Sequence, residues 1–202
     1  PSRPFAYYIQ RKLFIHNMGH ALTAYLGNLK GYTYIWQAIG DPFIKLAVLR
    51  AMQDSAKALS AEHGIRLETI LDHVDDLIYR FGNRLLGDTI HRVGNDVRRK
   101  LSPNDRLVGA ANLCIAHGIN PTSIYLGIAA AMKFDCMDKR LNGVNDIITT
   151  EGPAAVLKNI CSIQENSRMS DIVLELYGMM GNLSRINEVI EAAAEIKRKR
   201  AG

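Results

Sequence analysis

Cysteine, tryptophan and proline are scarce in this sequence, long apolar runs are absent, and each shortage excludes something. The three cysteines among 202 residues, Cys114, Cys136 and Cys161, are odd in number and widely spaced. That pattern suits a reducing compartment better than a disulfide framework, so they read as buried spectators of a cytoplasmic protein. The longest apolar stretches, such as "IYLGIAAAM", fall far short of the roughly 18 residues that cross a bilayer, so no membrane is expected as a partner. The chain opens at Pro1 without an initiator methionine and without the basic, apolar, small-residue succession of a secretory signal. Pro1 reads as a cut point. No GxGxxG follows a strand and no GxxxxGK[ST] occurs, and the glycines of "GMMGN" sit in helical context. The chain is therefore not expected to hold a dinucleotide alone. Aromatic residues make up only 7% and do not interleave with basic ones as a base-stacking surface requires. The net charge of +5, much of it in "HRVGNDVRRK" and "EIKRKR", is thus read as solvated surface plus a local anion site and not as a nucleic-acid interface.

What is present is a sequence punctuated for helices. A hydrophobic content of 48% over 202 residues is enough to bury one substantial core in a single domain. Asp41 followed by Pro42 supplies an N-cap and a first-turn proline, and the apolar spacing then runs to a stop at Gly64. A second long helix is predicted from Leu67 to Phe81, with Ile70, Leu71, Val74, Leu77 and Ile78 on one face. Shorter helices follow. "NDRLVGAANLCIAHG" ends at Gly118, "PTSIYLGIAAAMKF" starts from a Thr/Ser cap, "GPAAVLKNICSI" opens on proline, and "SDIVLELYGMM" is capped by Ser170. The stretch from Ser184 to Arg200 reads as a last amphipathic helix with cations at its C-terminal end. No run alternates like a strand, and no repeat is visible. The expected fold class is all-α, a multi-helix bundle.

The helix spelled by "RKLFIHNMGHALTAYLG" carries the densest chemistry. At about 100° per residue, Lys12, His16 and His20 form one slowly drifting stripe, and Asn17 shares the side of His20. Leu13, Phe14, Ile15, Met18, Ala21 and Leu22 surround them, so Lys12 is expected to be partly desolvated, which lowers an ammonium pKa toward that of a usable general base. Gly19 permits a close approach. His16 and His20 have the spacing of paired metal ligands, but "HNMGH" lacks the glutamate of HExxH and no third ligand is evident, so no metal is expected. Spacing by itself fits both a catalytic stripe and a set of satisfied structural polar groups.

The segment "RKLFIHNMGHALTAYLGNLKGY" resembles the signature of the polyol-specific long-chain dehydrogenases, the mannitol dehydrogenase family. That pattern is a lysine, four residues, an asparagine, two residues and a histidine, met here by Lys12, Asn17 and His20. "KLFxxNxGHA" with a following "AIGDP" is most similar to the mannitol-1-phosphate 5-dehydrogenase branch. The resemblance covers essentially the whole chain and implies a C-terminal helical domain like that of 6-phosphogluconate dehydrogenase, with the NAD-binding Rossmann domain lying N-terminal to it and outside this sequence. It also implies roles. Lys12 would take the proton from the polyol hydroxyl as its carbon gives up hydride, and Asn17 and His20 would donate hydrogen bonds to substrate oxygens. His16 stands where the family specifies nothing and is assigned to a supporting or structural place.

A second constellation, "RFGNRLLGDTIHRVGNDVRRKL", resembles the family's substrate segment, in which an arginine beyond an "RFxN" stretch binds substrate; Arg92 is the matching position. Arg98, Arg99 and Lys100 follow closely, and a phosphate site including Lys100 is chemically reasonable, since guanidinium groups suit bidentate contact with oxyanions. The expected substrate is a sugar or polyol phosphate, mannitol 1-phosphate against fructose 6-phosphate. A mannitol 2-dehydrogenase or hexuronate reductase of the same family is the alternative within this class, and a non-catalytic helical binding or assembly module is the alternative outside it. Without a dinucleotide domain the chain alone is expected to be inactive, because hydride transfer needs both reactants held at attack distance.

Overall fold

A computed structural model describes residues 5–135, 143–181 and 185–199. Among these residues the architecture is all-α: thirteen α-helices from α1 (Phe5–Arg11) to α13 (Ile186–Lys199), with one isolated antiparallel bridge between Tyr34 and Thr89 and no strand. Cys136, Ser184 and Arg200 lie outside the described residues, while Cys114 and Cys161 are buried.

Local chemistry accounts for the long helices. In α4 (Pro42–His63) the Asp41 carboxylate accepts from the backbone N–H of Phe43 at 3.0 Å and Ile44 at 3.1 Å, and Gly64 ends the helix at φ 63°, the left-handed conformation that a Cβ disfavours. Helix α5 (Leu67–Phe81) buries Ile70, Val74, Leu77 and Phe81, a stripe of period 3.6. Leu71 and Ile78, expected on that face, sit at its margin and are only partly buried.

Two caps differ from expectation. Ser167, not Ser170, caps α12 (Arg168–Met179) by accepting from Ser170 N–H at 3.2 Å, and Ser170 is buried inside the helix. Thr122 begins α9 (Thr122–Met132) as a buried residue whose N–H and hydroxyl both donate to Asn120 Oδ1, at 3.1 and 2.6 Å. The capping acceptor is therefore Asn120, two residues upstream.

Helices α2 (Met18–Leu29) and α9 form the centre. Every residue of α9 is buried, and in α2 only His20 and Asn28 are partly open. Such all-round burial is the mark of a helix enclosed by others, here α4, α6 (Ile90–Gly94), α12 and α13. The C-terminal helix is fastened by Lys197, whose ammonium pairs with the buried Asp54 of α4. Burial pushes the Asp54 carboxyl up from its ordinary value, against the pull of Lys197.

Between α1 and α2 the backbone runs on through a π-helical segment, Lys12–Asn17. Its cause is a contact from α4. The buried hydroxyl of Ser55 donates to Phe14 O at 2.7 Å, the carbonyl that Met18 N–H takes in a regular α-helix. Met18 N–H instead reaches Leu13 O, five residues back, and Ile15 O. A side chain inserted into the ladder is a recognised source of such distortion.

Candidate functional site

The π segment alters the winding of the stripe read from the sequence. In an α-helix residues five apart point about 140° away from each other, whereas hydrogen bonding from i to i+5 widens the turn and brings them closer to one side. The segment from Lys12 to Asn17 therefore turns less between its two ends than an α-helix would, and Asn17 leads into His20 by ordinary helical spacing. Residues four apart stay on one side in either geometry, and His16 and His20 remain neighbours, with ring centroids 6.0 Å apart. Lys12 is also exposed, contrary to the expected desolvation, because no described element of the chain covers the side of the helix it occupies.

His20 sits in a built environment. Its ring stacks on Phe81 with centroids 4.9 Å apart and planes 12° from parallel, and His16 lies 6.0 Å away by centroid. Nε2 faces Asp88 Oδ2 at 3.3 Å. The imidazole pKa is pulled down to about 3, first by burial and then by the positive surroundings of His16, Arg92, Lys100 and Arg106. The ring is therefore neutral at physiological pH, and the Asp88 negative charge is matched instead by the Arg92 guanidinium, four residues on, which pairs with Oδ1. His16 is shifted downward as well, by burial and then by Arg80, His73 and Lys12. A cavity of about 170 Å³ opens here, lined by His16, His20, Trp36, Arg80, Phe81 and Asp88 among others.

Of the five residues singled out in the sequence, His20 alone lines this cavity. Arg92 is two-thirds exposed and joins His20 through Asp88. Lys100, expected at the substrate, is 5% exposed, and its ammonium donates to Val93 O and Asn95 O, closing the end of α6. Arg99, paired with Asp96 and lying 3.4 Å from Asp105, is likewise engaged. The run from Arg98 to Lys100 is thus not one exposed phosphate patch, although Lys100 and Arg106 lie within electrostatic reach of His20.

Asp88 was missed in the sequence. Its i, i+4 spacing to Arg92 was the available signal, but its approach to His20 spans 68 positions. An open groove of about 1470 Å³ lies alongside, between Trp36, Asp41, Tyr79 and Arg84. It is larger but contains none of the five residues, and only its Trp36 and Asn83 reach the smaller cavity. Asp41, at its edge, is structural: besides capping α4 it pairs with Lys30 and accepts from Tyr32 Oη at 3.0 Å. No group of three or more His, Cys, Asp or Glu capable of holding a metal occurs among the described residues, and no described helix is long and apolar enough to cross a membrane.

Residues 5–197 match the model of the mannitol dehydrogenase C-terminal domain. The chain is 41% identical over 171 residues to a mannitol-1-phosphate 5-dehydrogenase of Thermoanaerobacter pseudethanolicus and 37% identical over 171 residues to one of Clostridium acetobutylicum, in each case 84% of this chain and 44% of the relative. The chain thus spans less than half the length of these relatives. Its fold matches that of Pseudomonas fluorescens mannitol 2-dehydrogenase, solved with NAD and D-mannitol, with a TM-score of 0.77 at 21% identity over 96% of this chain and 42% of that one. A D-sorbitol dehydrogenase matches with a TM-score of 0.67 at 16% identity, over 93% of this chain and 41% of that one. By the match over residues 5–197 and the identity to these relatives, the chain belongs to the family of mannitol dehydrogenase C-terminal domains.

Proposed function

We propose that this chain is the substrate-binding and catalytic part of an NAD-dependent polyol-phosphate dehydrogenase that interconverts mannitol 1-phosphate and fructose 6-phosphate. The observation that carries the reading is the π turn from Lys12 to Asn17, directly preceding a neutral His20 in the positive surroundings of Arg92, Lys100 and Arg106. The names of the relatives at 41% and 37% identity support the choice of substrate.

Lys12 removes the proton from the reacting hydroxyl and returns it in the reverse direction. Asn17, at the other end of the π turn from Lys12, donates from its amide to the oxygen on which negative charge develops. Arg92 takes an anionic or hydroxyl-rich end of the substrate by paired hydrogen bonds, while Lys100 and Arg106 contribute positive potential from beneath. The reaction also needs a hydride acceptor. Among the described residues there is no strand and no glycine-rich strand-to-helix turn, so these residues do not cradle a dinucleotide pyrophosphate. In this reading NAD is carried by an N-terminal Rossmann domain of the same parent protein, which also covers and dries Lys12. The isolated chain is then inactive.

The test is steady-state oxidation of mannitol 1-phosphate with NAD by the full-length protein, wild type beside Lys12→Ala. A fall of several orders of magnitude in turnover is expected. A wild type that oxidises no polyol and no polyol phosphate would overturn the proposal.

A further inference from the structure

We propose that Asp88 is a positioning residue, which holds His20 in one tautomer and one orientation and keeps Arg92 poised beside it. The proposal rests on the dehydrogenase reading for its kinetic consequence, but its structural content stands on geometry.

Three observations converge on this carboxylate. First, the backbone at Asp88, in the loop that leads into α6, is fixed by the segment that leads into α3 (Ile35–Gly40). Asp88 O accepts from Ile35 N–H at 2.9 Å, Ile90 N–H donates to Thr33 O at 2.9 Å, and Tyr34 and Thr89 form a bridge. The segment is thereby clamped to the start of α3, and its side chain, 19% exposed, is aimed into the cavity. Second, the carboxylate has two partners on two oxygens, Arg92 at Oδ1 and His20 Nε2 at 3.3 Å from Oδ2. Third, His20 is held on its face by Phe81, 4.9 Å away and nearly parallel. Stacking restrains the plane of the ring but does not choose between the two orientations about the Cβ–Cγ bond that share this plane and exchange Nε2 with Cε1. Asp88, meeting the ring at its edge, supplies the missing restraint.

The chemistry of the pair then decides the tautomer. A carboxylate paired with a guanidinium only accepts hydrogen bonds, so we place the hydrogen on the imidazole nitrogen nearest to it, 3.3 Å from Oδ2. His20 therefore has its hydrogen on Nε2 and presents a lone pair at Nδ1. A polyol hydroxyl can donate to that lone pair, so His20 recognises a substrate hydroxyl by accepting from it, where the family resemblance implied donation. Arg92 is oriented by the same carboxylate, so one residue coordinates the two substrate-facing groups. Outer partners that orient an imidazole in this way typically change affinity or activity by about 10- to 100-fold when removed.

The experiment is two-bond ¹H–¹⁵N correlation spectroscopy on histidine-labelled full-length protein, with steady-state kinetics on mannitol 1-phosphate, for wild type, Asp88→Ala and Asp88→Asn. In wild type the His20 signals should report hydrogen on Nε2. Asp88→Ala should mix the tautomers and lower kcat/KM by about 10- to 100-fold. Asp88→Asn keeps the shape and one acceptor oxygen, should fold even where the alanine variant does not, and should recover part of both effects. Hydrogen on Nδ1 in wild type, or an unchanged tautomer in every folded variant, overturns the proposal; so does a changed tautomer with unaltered kinetics. The tautomer is read without turnover, so an inactive wild type counts against the dehydrogenase reading alone.

Discussion

Replacing Gly27 by alanine pits helix propensity against packing, and the structure decides which wins. Gly27 lies inside α2, two turns beyond His20 on the same side, where alanine is favoured over glycine by about 1 kcal/mol from backbone entropy alone. Its environment opposes the change. A Cβ built at position 27 comes 2.6 Å from Ile90 Cδ1 and 2.7 Å from Ala38 Cβ. The isoleucine end can turn aside, but the Ala38 methyl is fixed to the backbone of α3, so the helices themselves must part. Overpacking of this kind costs about 1–3 kcal/mol, and a clash with an immovable methyl belongs at the top of that range. Subtracting the propensity gain leaves a net loss of about 2 kcal/mol, which for a chain of this size lowers the melting temperature by about 4–8 °C. The assay is thermal unfolding followed by far-ultraviolet circular dichroism, with Gly19→Ala as control. There the added Cβ meets Met52 Sδ at 2.5 Å and Cγ at 2.9 Å, a flexible thioether that can withdraw, so the control should lose much less. Equal melting temperatures for the two variants, or a Gly27→Ala protein as stable as wild type, would refute the argument. Because α3 and α6 flank the Asp88 segment, Gly27→Ala should also loosen the His20–Asp88 contact.

Two further outcomes are expected. The His20 pKa is lowered to about 3 in the folded protein, and the unfolded value is about 6.5. Between these values the unfolded state binds the extra proton, so the stability from a neutral His20 is present above about pH 6.5 and is lost as pH falls toward 3. His16, lowered in the same direction, adds to the loss, and Asp88, Arg92, Lys100 and Arg106 face His20. Urea midpoints should fall between pH 7 and pH 4.5, less so in His20→Gln; an NMR titration of His20 near pH 6.5 would contradict this. Asp41→Ala removes both the cap of α4 and the partner of Lys30, and should cost about 2 kcal/mol, the upper end for a lost cap. Asp41→Asn, which keeps a capping oxygen, should recover about half in urea unfolding, and an alanine variant as stable as wild type would remove Asp41 from this role.

The limits of α4 and α5 were legible residue by residue, since a cap, a proline, a left-handed glycine and a periodic stripe act within a few positions of the helix ends they define. The K-x4-N-x2-H pattern was equally legible as a local signature, and with it the family. Ser170 and Thr122 were misplaced because several hydroxyl-bearing or amide residues near one helix start compete for the cap, and only the folded backbone selects among them. The relations between distant residues were not legible at all. Nothing near Phe14 announces that a serine 41 residues away will take its carbonyl within a turn of π geometry running from Lys12 to Asn17. Nothing in "VRRK" distinguishes the buried Lys100 from its neighbours until α6 ends against it. Periodicity and capping are short-range and written in consecutive residues. The convergence of His20, Asp88 and Arg92 depends on helices packing side against side, and only the tertiary structure decides that.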